Sequence, residues 1–197
     1  MQNRTHTRPE ACTSSENCVK MTVLEVFEGA IPKYSLSGKR QNDMSYELKS
    51  ARYLAREVLE RAVQPGDTVV DATMGNGHDT LMLCEAVGPT GRVYAFDIQQ
   101  DAVKETEKLL QSQGMLERAT LINTGHEHMK DYVKGPVNAV VFNLGWLPGG
   151  DHSITTRWET TSRAVQAALE LLGTGGVLVI CAYPGHGEGD RERNGRT

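Results

Sequence analysis

The chain has 197 residues, 39% of them apolar and 23% charged, which suits one domain with a buried core and is short for two. Lys and Arg total 21 against 25 Asp and Glu, a formal charge of −4, which argues against a broad cationic face for nucleic acid and leaves room only for a local basic patch. No apolar run approaches the roughly 20 residues of a membrane span, and the polar first residues lack the profile of a secretory signal.

Met1 to Lys20 is rich in Thr, Ser, Asn and Glu without apolar periodicity, so disorder is expected there. Met21 to Ile31 suits a short strand or a helix, and Pro32 to Asp43 reads as loop, making residues 1–44 a leader. From Ser45 the pattern becomes regular. Leu48, Ala51, Leu54, Ala55, Val58, Leu59 and Ala62 recur at helical spacing until Pro65-Gly66. Strands are expected over 68–72, 92–97, 119–123, 137–143 and 176–182, with helices over about 79–87, 100–113 and 160–172. Short, nearly all-apolar strands alternating with helices specify an α/β fold, a parallel sheet covered on both faces.

Cys12 and Cys18 lack C-x-x-C spacing and no second pair follows, so a zinc site is not expected. Cys84 and Cys181 fall in apolar segments and read as buried thiols, consistent with a reduced, cytoplasmic protein. His126 and His128 form an H-x-H pair without a third ligand in spacing, so no metal is expected.

Ligands of an open α/β sheet sit outside the carboxyl ends of the strands, and the informative residues lie there. After the first core strand, Gly75 and Gly77 allow a tight turn and close backbone approach, with a helix N-terminus behind them. Asp71, Asn76 and Asp79 supply acceptors suited to an ammonium group. A dinucleotide fingerprint would place its third glycine at position 80, where this chain has Thr80, which disfavours NAD. Asp97, twenty residues beyond Gly77, can accept both hydroxyls of a ribose, with Gln99 beside the same nucleoside. Gly125 and His126 follow the third strand and suit the base. Asn143, with Trp146 three residues on, can aim an amino nitrogen and stack on a flat substrate. The amine must be neutral to attack, and Asp151, His152 or His186 could take up its proton. Together these strand ends describe a site for S-adenosyl-L-methionine (SAM).

The segments D-A-T-M-G-N-G-H-D-T (71–80), Y-A-F-D-I-Q (94–99), F-N-L-G-W-L-P-G-G-D-H-S-I (142–154), E-T-T (159–161) and Y-P-G-H (183–186) closely resemble the bacterial tRNA 5-aminomethyl-2-thiouridine methyltransferases, long labelled rRNA methylases. The resemblance implies a Rossmann-like class I methyltransferase domain over residues 45–186, SAM as donor, and the wobble uridine of a tRNA anticodon stem-loop as acceptor. It further implies a cytoplasmic enzyme and a homodimer. By motif match Asn76, Gly77, His78, Asp97, Gln99 and His126 would bind SAM, and Asn143, Trp146, Asp151 and His186 would line the acceptor side. The family usually has Tyr at Trp146, Lys at His152 and His at Pro184. Class I sheets carry a C-terminal antiparallel hairpin beside the fifth strand. The polar residues 187–197 show no strand pattern, so that hairpin is expected to be missing and the fifth strand to have an open edge. Three alternatives remain: methylation of another RNA or a small amine, a truncated SAM-binding chain without activity, and an NAD-binding oxidoreductase.

Overall fold

The computed structural model describes residues 20–25, 51–147, 149 and 154–182, of which 20–25 and Ala51 are described by backbone alone. In chain order the elements are β1 (Lys20–Glu25), α1 (Ala51–Ala62), β2 (Thr68–Asp71), α2 (His78–Val87), β3 (Arg92–Phe96), α3 (Gln100–Ser112), β4 (Ala119–Ile122), α4 (Met129–Tyr132), β5 (Val137–Asn143), α5 (Trp158–Leu171) and β6 (Leu172–Ala182). Among the described residues six strands form one sheet in the order β1-β6-β5-β2-β3-β4, and each of these pairings is parallel.

Although the core strands read as continuous apolar runs, their side chains still alternate between two cores. Val69, Val93, Val141, Val177 and Val179 pack under α1, α2 and α3, against Leu59, Leu83, Val87 and Leu110. Val70, Phe96, Val140, Phe142 and Leu178 face the other way, against Met129 of α4 and Ala164 and Ala168 of α5. The alternation breaks once. Val137 and Ala139 are two apart yet sit in different cores, because the β5–β6 register slips between them.

The five expected core strands are present, and two boundaries differ by more than one residue. β6 begins at Leu172 rather than Gly176, since Leu172 pairs with Val137 before the register shift. α5 opens at Trp158 instead of Thr160. The expected open edge is also corrected: β1 pairs along β6 from Lys20↔Val177 to Glu25↔Ala182, so the flank of β6 is occupied by a strand from the leader. Of the two readings left for Met21 onward, the strand is the one adopted. Residues 183–197, on which the hairpin expectation falls, lie outside the described residues, as do Cys12 and Cys18. Cys84 and Cys181 are buried thiols outside any disulfide among the described residues, and burial pushes them up to about 11 and about 12. Among the described residues no helix is long and apolar enough to cross a membrane, and no three His, Cys, Asp or Glu converge as a metal site.

From β2 the chain builds outward through β3 to β4, then returns to the opposite side of β2 with β5 and β6. The order therefore reverses between β2 and β5, and their carboxyl ends frame the crevice where this fold binds ligands.

Candidate functional site

A cleft of about 930 Å³ opens at that reversal point, within the usual range for a small-molecule site. It is lined from four strand ends: Thr73 to Asn76 after β2, Asp97 to Gln99 after β3, Thr124 to Glu127 after β4, and Asn143 to Leu147 at the end of β5.

The first turn divides its labour between structure and site. Asp71 does not reach the cleft. It is 1% exposed, one carboxylate oxygen accepting the Thr80 hydroxyl at 2.7 Å and the other the Thr73 N–H at 3.1 Å. Burial, and then the nearby Asp79, push its carboxyl up to about 7. The expectation that Asp71 meets an ammonium group is thus corrected: it ties the end of β2 to the first turn of α2. Gly77 is corrected in the same way. It does not line the cleft, and with φ at +82° a Cβ there would lie 2.7 Å from Thr106 Oγ1, so the glycine lets the turn press on α3. Gly75, Asn76, His78 and Asp79 do line the cleft.

Asp97 links two loops. Its Oδ2 accepts the Gly75 N–H at 3.0 Å and its Oδ1 the Gln99 N–H at 2.9 Å, which fixes the glycine turn against the start of α3. Each oxygen keeps a further lone pair for a ligand hydroxyl. Burial raises its carboxyl from the usual range, and the two N–H bonds work against that rise. His126 is 8% exposed and stands 5.5 Å from Phe142, edge to face. Its Nδ1 lies 3.1 Å from the Ala72 carbonyl, so Nδ1 carries the proton and Nε2 is an acceptor. Burial lowers its pKa and keeps the ring neutral. His128 is exposed and lies 3.5 Å from Asp131, so the H-x-H pair splits between cleft and surface.

On the far wall, the Asn143 backbone N–H donates to Thr73 Oγ1 at 2.7 Å and its side-chain Nδ2 donates to Asp79 Oδ2 at 3.1 Å. The remaining amide oxygen is buried and has no partner among the described residues. Turning the amide over would set that oxygen against a carboxylate, so the assigned orientation is the stable one. Trp146, 41% exposed, stands at the rim beside Ile154. Its segment is held by a bridge from Trp146 to Thr155 and by a reciprocal pair: Gly145 N–H to Thr156 Oγ1 and Thr156 N–H to the Gly145 carbonyl, each 3.0 Å. Asp151 and His186 lie outside the described residues. Gln99 and Gly125 line the cleft as expected.

Several lining residues carried no sequence signal of their own, among them Arg52 from α1 and Thr155, Thr156 and Arg157 before α5. Thr160 also lines the cleft, while Thr161 beside it is buried at 3%, so the E-T-T segment serves both site and core.

The comparisons with known proteins agree with this fold. Residues 93–195 match the model of a family described as "Putative rRNA methylase". A crystal structure from Clostridium thermocellum, described in the same words, is 47% identical, covers 75% of this chain and 79% of that one, and superposes with a TM-score of 0.73. A protein from Streptococcus mutans, named as a methyltransferase in complex with SAH, is 36% identical at a TM-score of 0.67, over 75% of this chain and 78% of that one. The chloroplastic tRNA (mnm(5)s(2)U34)-methyltransferase of Arabidopsis thaliana is 44% identical over 154 residues, 73% of this chain. Those residues make up 56% of the plant protein, so the chain spans little more than half of that relative.

Proposed function

The chain belongs to the rRNA methylase family, and on that premise we propose that it transfers a methyl group from SAM to the primary amine of 5-aminomethyl-2-thiouridine at the wobble position of tRNA. One observation carries the reading: Asp97, cradled by backbone N–H groups, and Asn143, with an unspent amide oxygen, line the same cleft at the reversal point of the sheet. An acid that can take ribose hydroxyls and an acceptor that can take an amine N–H are the two ends that such a transfer needs. The named plant relative supports tRNA over rRNA as the acceptor.

The residues present fit SAM. Asp97 would hold the ribose, Gln99 and Gly125 would flank the nucleoside, and neutral His126 would offer Nε2 to the adenine. Asn76, His78 and Asp79 would surround the methionine part. Bound SAM supplies an electrophilic methyl group. The chain's task is then positional: Asn143 accepts an amine N–H and so directs the nitrogen lone pair, and Trp146 stacks on the base at the rim. Asp151, His152 or His186 takes up the proton the amine sheds. Cytoplasmic location and homodimerisation belong to the same reading.

The decisive assay incubates the protein with undermodified tRNA and isotopically labelled SAM, followed by nucleoside mass spectrometry. A labelled methylaminomethyl-thiouridine is expected. Protein shown by calorimetry to bind SAM, yet yielding no such nucleoside, would overturn the acceptor assignment.

A further inference from the structure

Arg52 lies in the first turn of α1, outside every motif that marks the cleft, yet it lines the cleft wall. Its Nε and Nη2 both donate to Asp79 Oδ1, at 3.3 and 3.2 Å. Asp79 Oδ2 in turn accepts the Asn143 side-chain N–H at 3.1 Å. Three elements, α1, α2 and β5, thus join in one line that ends on the amide whose oxygen has no partner among the described residues. Arg52 is 46% and Asp79 21% exposed, and an ion pair that wet adds little to stability. Its consequence is orientation and charge.

We propose that Arg52 is a positioning residue for the acceptor amine: it holds Asp79, which fixes the Asn143 amide with its oxygen free for an N–H, and it offsets the carboxylate beside that amine. The proposal rests on the amine-methylation reading above. The charge half follows from the need for a neutral nucleophile, because an uncompensated carboxylate nearby favours the ammonium form. Among the described residues, the ionisable groups around Asp79 include Arg52 and Arg56 on α1, Asp71 on β2 and Cys181 on β6, with His78 preceding it on α2. Arg56 is committed to Glu60 at 2.7 Å, Asp71 is enclosed by Thr73 and Thr80, and Cys181 is a neutral thiol. Among the described residues Arg52 is therefore the cation that holds Asp79.

Two readouts test it on the full chain. In single-turnover methylation with saturating SAM, Arg52→Gln should slow the step about tenfold through lost alignment. It should also move the midpoint of the pH profile upward by roughly half a unit to one unit, because the amine then stays protonated to higher pH. Arg52→Lys, which keeps the charge, should hold the wild-type midpoint. A loss equal at every pH, or no change, overturns the charge half. The second readout needs no turnover: hydrogen exchange of the Asn143 side-chain amide by NMR, assigned with Asn143→Asp. Exchange about tenfold faster in Arg52→Gln than in wild type is expected, and equal exchange overturns the positioning half. If Arg52→Gln does not fold, Arg52→Met, which keeps the aliphatic stem, takes its place in both measurements. A wild-type protein that methylates no tRNA while the exchange contrast holds refutes the function reading and leaves the positioning role standing.

Discussion

The two walls of the cleft are built on opposite terms. On the β2–β3 wall, both acids spend hydrogen-bonding capacity on their own chain: Asp71 on Thr73 and Thr80, Asp97 on Gly75 and Gln99. On the β5 wall, Asn143 Oδ1 and Thr155 Oγ1 are buried without a partner among the described residues, and Trp146 and Ile154 stand exposed. Buried polar atoms are nearly always satisfied in folded proteins, so the second wall is the one whose bonding is left to a ligand. The first wall is shaped in advance and loses little order when it binds a small rigid partner. The second can adapt to a large one.

The comparison can be broken at several points. The largest effect is expected at Gly77→Ala, where a Cβ at φ +82° would meet Thr106 Oγ1 at 2.7 Å and its Cα at 3.0 Å. A loss of about 2–4 kcal/mol in urea denaturation is expected, and a loss near zero would mean the prebuilt wall is looser than it looks. Asp97→Ala removes one acceptor shared by two backbone N–H groups and the proposed ribose site. SAM affinity by calorimetry should fall by about 2–3 kcal/mol. Trp146→Ala should weaken tRNA binding by about 1–2 kcal/mol, the loss of one stacked base, while SAM affinity holds. Comparable losses toward both ligands would erase the distinction between the walls.

Asp71 gives a pH-dependent test. Its folded-state pKa, about 7, lies above the unfolded value of 3.8, so between those values the folded state binds more protons than the unfolded one. Stability from this group is therefore highest at acid pH and falls as pH rises toward about 7. Asp71→Asn should remove that fall, read as the difference between the two chemical-denaturation curves across pH. Parallel curves would show that Asp71 is ionised without penalty. The smallest effect is expected at Thr155→Val, which deletes a buried hydroxyl lacking a partner: neutral to about 1 kcal/mol stabilising by thermal unfolding.

Much of the fold was legible because the core strands obey simple rules. Short β-branched runs between glycine-rich turns can only be buried parallel strands, and the amphipathic helices follow from their spacing. The residues of the cleft were legible wherever a strand end marks them, as at Asp97, His126 and Asn143. Asp71 was misread because a sequence does not show which way a strand-end acid points. The deciding partner, Thr80, lies nine residues on and looked only like a failed glycine. Arg52 was invisible for a related reason. It reads as one more charge on the wet face of α1, and its partner Asp79 is 27 residues away. The early start of β6 was hidden by Gly173-Thr174-Gly175-Gly176, which looks like loop and serves as the irregular segment where the register slips.

The pairing of β1 with β6 has a consequence in time. Among the described strands it joins the earliest to leave the ribosome with the latest, the most sequence-distant contact among the six. During synthesis β2 to β5 can associate while β1 has nowhere to dock. Its segment must wait, tethered, until β6 emerges and exposes its flank. Such long-range closure is the slow part of folding, so the protein should pass through a stage in which its nucleus is complete and one sheet margin is still bare.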